Sequence, residues 1–104
     1  MSYHLVVTTV DSADQAQELA RGAVEARLAA CAQVVGPVVS VYRWEGEVRT
    51  DQEWQVVLKT TAAATDRLVE HLCSVHGYEV PEVIVSPITG GNPAYLSWLD
   101  EETA

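Results

Sequence analysis

Apolar and polar positions alternate from Tyr3 to Val10 in a run rich in Val and Thr, the period-2 pattern of a half-buried strand. Asp11-Ser12 breaks the alternation. Ser12 with Gln15 three residues on has the form of a capping box, in which the hydroxyl accepts from an otherwise orphaned N–H at a helix start. Beyond it Ala16, Leu19, Ala20, Ala23, Val24 and Leu28 recur at helical spacing, with Glu18, Arg21 and Glu25 between them and Cys31 continuing the stripe. The spacing predicts a helix over 12–29.

A second strand is predicted from Val34 to Trp44, interrupted early by Gly36-Pro37, because proline cannot donate to a sheet ladder and marks a kink, bulge or edge. From there Val39 and Val41 face one side, and Ser40, Tyr42 and Trp44 the other. Glu45-Gly46-Glu47 turns the chain, and Glu53 to Thr60 returns as a third strand with Trp54, Val56 and Leu58 on one face. Together they make a long hairpin. Thr61 to His76 follows as a helix with Leu68, Leu72 and Val75 in one stripe and Val69, Cys73 and His76 beside it. Gly77 stands where a left-handed residue would end that helix. Val80 to Ile88 is a fourth strand, after which Asn92 caps and Pro93 opens a short final helix, Tyr95 to Glu101.

This order predicts an α+β fold over a single domain, 1–104: a ferredoxin-like βαββαβ sandwich with a long β2–β3 hairpin and a short C-terminal helix. Two helices would cover one face of the sheet. The other face would carry apolar side chains with no helix layer, so oligomerisation is expected.

Composition changes this picture in one respect. Apolar residues make up 48% and charged residues 20% of the 104, which is ordinary for a globular chain and unlike a disordered one. The formal net charge, however, is −9, from 15 acidic and 6 basic side chains. That sign opposes nucleic-acid phosphate and anionic membrane surfaces, and makes cations the natural long-range partners. No apolar run is long enough to span a bilayer, and Met1-Ser2-Tyr3-His4 does not read as a signal peptide. A cytoplasmic protein with two reduced thiols, Cys31 and Cys73, is therefore expected. Cys73 and His76 are three apart, so a helix would set sulfur and imidazole side by side, a pair suited to copper or zinc. Cys31 reads either as a small buried side chain or as a thiol near a subunit cleft. No nucleophile elbow, P-loop, dinucleotide fingerprint, HExxH or EF-hand loop is present.

Five ordered blocks carry a resemblance. Ala23-Val24-Glu25-Ala26-Arg27-Leu28-Ala29-Ala30-Cys31 and Ser40-Val41-Tyr42-Arg43-Trp44-Glu45-Gly46-Glu47 are the first two. Val57-Leu58-Lys59-Thr60, His76-Gly77-Tyr78-Glu79-Val80-Pro81-Glu82-Val83 and Gly91-Asn92-Pro93-Ala94-Tyr95-Leu96-Ser97-Trp98-Leu99 follow. Across nearly the whole chain these resemble the CutA divalent-cation tolerance proteins. The resemblance implies a tight homotrimer, related in architecture to PII-type signalling proteins, with no enzymatic activity and no required cofactor. Divalent cations, copper among them, would be its partners. Some relatives carry a cysteine in the first strand and paired histidines before the tyrosine of the fourth block. Here Thr8 and Thr9 occupy the strand, and Val75-His76-Gly77 precedes Tyr78.

The polar members of the blocks, Lys59, His76, Tyr78, Glu79 and Glu82, are expected to converge at one rim of the sheet with Trp44 and Cys31 nearby. Such a group would form a cleft for small-anion binding or general acid–base work, or an inter-subunit salt-bridge cluster. The alternative function is a PII-like sensor with an anionic or nucleotide ligand in an inter-subunit cleft. Against it stands the absence of a long basic loop between the middle strands.

Overall fold

The computed structural model describes residues 2–104. Its elements run β1 (Tyr3–Val10), α1 (Ala13–Glu25), β2 (Cys31–Trp44), β3 (Glu47–Thr61), α2 (Ala62–Val75), β4 (Val83–Ile88) and α3 (Pro93–Glu102). The four strands form one antiparallel sheet in the order β2-β3-β1-β4, the expected α+β arrangement. Alternation along the strands decides the faces. Val6 and Val10 of β1 and Val56 and Leu58 of β3 point to the side where α1 and α2 lie. There they bury against Ala16, Leu19, Ala23, Leu68 and Leu72. Tyr3, of opposite parity to Val6, points the other way and packs with Ala30 against Leu99 of α3. The third helix thus covers one end of the face that the sequence left bare.

The boundaries differ from expectation at four places, each for a local reason. Ser12 caps α1 as its sequence implies, its Oγ accepting from Gln15 N at 3.1 Å. The helix nevertheless stops at Glu25 rather than 29. Leu28 N donates to Ala23 O (3.0 Å) and Arg27 N to Val24 O (3.0 Å), with Arg27 in the left-handed region at φ 59°. This is a Schellman ending with arginine where glycine is usual, so nothing in the composition announced it. Cys31 consequently belongs to the start of β2, paired with Lys59, and not to the α1 stripe. At the end of α2, Gly77 is not left-handed; His76 is the C-cap, with extended backbone. β4 begins at Val83 instead of Val80, because the chain from 77 to 82 bends and pairs with no strand.

The fourth difference is the largest. β3 begins at Glu47, six residues earlier than its alternating pattern suggested. β1 ends against it at Val10↔Trp54, while β2 and β3 continue to pair as far as Trp44↔Glu47. The surplus is a two-stranded arm without a third strand. One of its faces carries Val39, Val41 and Val48, with 72%, 65% and 64% of their surface exposed. An isolated hairpin with a bare apolar face is marginal in water.

The arm leaves the sheet at a register shift between Val35 and Val38. Gly36 sits inside that shift, where an added Cβ would lie 2.7 Å from Trp54 Cδ1 and 3.1 Å from Trp54 Cα. Trp54 packs against the main core and the second contact is backbone, so neither side yields freely. Gly36→Ala is expected to destabilise the fold by about 1–3 kcal/mol. Urea unfolding checks this; an unchanged midpoint would show that the shift absorbs a methyl group.

Candidate functional site

The site begins where β1 runs out. Thr9 lies one residue past the last β1–β4 pair, Thr8↔Val83, and its carbonyl accepts from His76 Nε2–H at 2.8 Å. The other ring nitrogen, Nδ1, accepts from Tyr78 N at 3.0 Å. One imidazole therefore ties the end of α2 to β1 and turns the following chain back on itself. This fixes the tautomer with hydrogen on Nε2. The rings of His76 and Tyr78 lie 4.8 Å apart and tilted.

Held in this way, Tyr78 reaches the base of the hairpin arm. Its phenol donates to Glu53 Oε2 at 2.7 Å. Glu53 lies one residue outside the β1–β3 pairing, which ends at Val10↔Trp54, and retains only 9% of its surface exposed. Burial first, then the hydrogen bond and charge of Glu53, hold the Tyr78 phenol well above the ordinary tyrosine value of 10.0. Farther along the arm Tyr42 donates to Asp51, and that bond is the main cause raising the Tyr42 phenol.

Between the arm and the 77–82 connection lies a cleft of about 800 Å³, within the usual range for small-molecule sites. Of the residues singled out from sequence, Trp44, Tyr78, Glu79 and Glu82 line it, and His76 braces it from behind. Lys59 and Cys31 do not join them. They pair across the sheet from each other, six residues along β3 from Glu53, or about 20 Å at strand rise. There Lys59 Nζ donates to Gln33 Oε1 at 2.9 Å and stands 5.9 Å from the centre of the Tyr95 ring. The expected single rim is thus two separate places, and the cationic member belongs to the other one.

The metal pair also reads differently in three dimensions. Cys73 is exposed and Cys31 half-buried, both as free thiols. His76, however, has both ring nitrogens engaged, so a metal could take it only by displacing Thr9 O or Tyr78 N. Among the described residues no three His, Cys, Asp or Glu side chains gather to ligate one ion. Sequence reasoning missed Glu53, Asp11, Asp51 and Arg49, all of which line the cleft. The only signal available for Glu53 was its parity on β3. Nothing in the sequence brings Tyr78 over it.

The family model for the CutA1 divalent ion tolerance protein matches residues 4–102. The chain belongs to the CutA family. It is 46% identical over 99 residues to the divalent-cation tolerance protein CutA of Thermus thermophilus, covering 95% of this chain and 96% of that one. It is 42% identical to the chloroplastic CutA protein of Arabidopsis thaliana, covering 95% of this chain but only 54% of that longer protein. The crystal structure of CutA from Xylella fastidiosa superimposes with a TM-score of 0.96 at 35% identity, with both chains fully covered. The CutA described as periplasmic from Archaeoglobus fulgidus gives 0.92 at 27% identity, over 96% of this chain and 97% of that one. The CutA fold is therefore shared along essentially the whole chain, and relatives carrying it occupy different compartments.

Two outcomes follow from the brace and the phenol. His76→Ala removes two hydrogen bonds at a half-buried position, and a loss of about 1–3 kcal/mol is expected by urea unfolding; an unchanged midpoint would mean that the ring does not hold the cleft together. For Tyr78, the fold favours the neutral phenol. Its contribution is whole below pH 10.0 and is lost as pH rises above that value towards the higher folded one. Wild type should therefore lose stability from about pH 9 to 11 more steeply than Tyr78→Phe; parallel curves would exclude this linkage.

Proposed function

We propose that this CutA chain works in the cytoplasm as a homotrimer that is not an enzyme, and that its task is a binding or signalling response to divalent cations. The observation that carries the reading is the bare apolar face of the arm, with Val39, Val41 and Val48 in one row. That face lies beyond the reach of the chain's own helices. At about 25 cal/mol per Å², a row of this kind favours association with a neighbouring chain over exposure to water. Family membership supports the response to divalent ions, and the acidic balance supplies a physical means, since a net charge of −9 on each chain concentrates cations around an assembly.

The metal-binding residues follow from the same electrostatics. Magnesium and calcium would gather weakly at the carboxylates and be screened by salt. Copper remains our proposal for Cys73, whose exposed sulfur is a soft ligand, with His76 joining only if its two hydrogen bonds break. A PII-like sensor is the second reading, and the 800 Å³ cleft favours it. The charged side chains lining that cleft are five carboxylates against one guanidinium, which argues against the anionic ligand expected for such a sensor.

Light scattering coupled to size exclusion should return three chain masses at micromolar concentration. Val41→Asp, which sets a charge in the apolar row, should shift the population to smaller species while leaving the circular dichroism of the chain unchanged. A wild type that elutes as a monomer, or a Val41→Asp variant that remains fully assembled, would overturn the arm as the assembly surface.

A further inference from the structure

Glu53 presents an unbalanced charge. The residue is nine-tenths buried, and the hydrogen-bond partner of its carboxylate is a neutral phenol. The one ion pair among the described residues joins Arg21 to Glu25, on the surface of α1. A buried carboxylate ordinarily finds a cation, because transfer from water without one is costly. Glu53 instead lines an open cleft. Around the same cleft stand Asp11, Asp51, Glu79 and Glu82, against a single guanidinium, that of Arg49.

The uncharged part of the wall combines three aromatic rings with Val41, Val80 and small or polar residues. Tyr42, Trp44 and Tyr78 all line the cleft. A bare metal ion, bound through oxygen, sulfur or imidazole ligands, gains little from such rings. An ammonium carried on an aliphatic body gains from both parts of the wall: its charge from carboxylate and ring faces, its methylenes from the apolar surface. Several carboxylates spread along one cleft, instead of gathered on one point, suit a ligand whose positive charges are likewise spread along a chain.

We infer that the cleft between the hairpin arm and the 77–82 connection is a binding site for a linear aliphatic amine bearing more than one ammonium group, with Glu53 as the buried anchor. The inference deepens the sensor reading of this cleft and rests on its being open in the assembled protein. Tyr78 orients Glu53 by occupying Oε2. His76 sets the position of Tyr78 without touching the ligand.

Spermidine is a suitable probe. Calorimetry at about 0.15 M salt, where diffuse attraction is screened beyond roughly 8 Å, should show saturable binding of spermidine and none of comparable strength for magnesium. Glu53→Gln keeps an acceptor for Tyr78 and removes the charge; it should weaken spermidine by about tenfold or more, as expected when one member of a buried charge pair is lost. Trp44→Leu, on the half-buried end of β2, should weaken it several-fold and serves as the deciding variant if Glu53→Gln does not fold. Equal, salt-sensitive binding of spermidine and magnesium would overturn the site, as would unchanged spermidine affinity in either variant. Light scattering on the same samples separates the two failures. A trimer that ignores spermidine refutes the site alone, whereas a monomer that binds it refutes only the assembly.

Discussion

β3 runs for 15 residues and its inner neighbour β1 for 8, so half of the longer strand has nothing to pair with except β2. Most of what is distinctive in this molecule follows from that mismatch. The paired half, with Trp54, Val56 and Leu58, supplies one side of the core. The unpaired half must project. At the junction the register of β2 slips past Gly36, Thr9 presents a carbonyl at the end of β1, and Glu53 is caught between the covered and uncovered parts of the strand. The chain leaving α2 then closes over this junction through His76 and Tyr78. The cleft is the space left between a strand that continues and a sheet that does not.

The electrostatics of the cleft have the same origin. A glutamate on an exposed hairpin would be solvated and unremarked. One residue from the end of the β1 pairing, it is overlaid by Tyr78 and loses most of its water. A phenol donor answers part of that loss, since hydrogen bonds to a charged acceptor are among the stronger ones. It brings no countercharge, however, and burial, with the hydrogen bond and charge of Glu53 behind it, keeps the Tyr78 phenol raised. The two residues belong to elements 25 positions apart in sequence and are coupled only because His76 fixes the path between them.

How much of this was legible in the sequence differs from element to element. The strands and helices that form the core were readable because burial imposes period 2 or 3.6 on them, as in β1 and in the Leu68–Leu72 stripe. The outer half of β3, from Glu47 to Gln52, was not. Its residues face solvent on the isolated chain, so no alternation marks them, and their extended form is imposed by pairing with Val39 to Trp44. The end of α1 was hidden because arginine occupies the left-handed position that glycine usually marks, and this carried Cys31 from a helix to a strand. Trp44, Tyr78, Glu79 and Glu82 could be grouped from their blocks and do share a cleft. Lys59 was grouped wrongly for a geometric reason: both ends of a strand are rims, and sequence does not say which rim. Glu53 gave no signal beyond its parity on β3, because its burial is created by a loop distant in sequence.

The arm also divides the chain's tolerance to change. Trp54, Val56 and Leu58 of β3 are tied to the core beneath α1 and α2, so a substitution there is felt by the fold itself. Those from Val38 to Gln52 touch little of their own chain, and a substitution there is felt mainly by whatever lies against the arm. Over generations of mutation the two halves of one hairpin can therefore drift under separate selection. The inner half is filtered by whether the chain folds, and the outer half by which neighbour it meets. A population of such sequences can alter its associations without first weakening its fold.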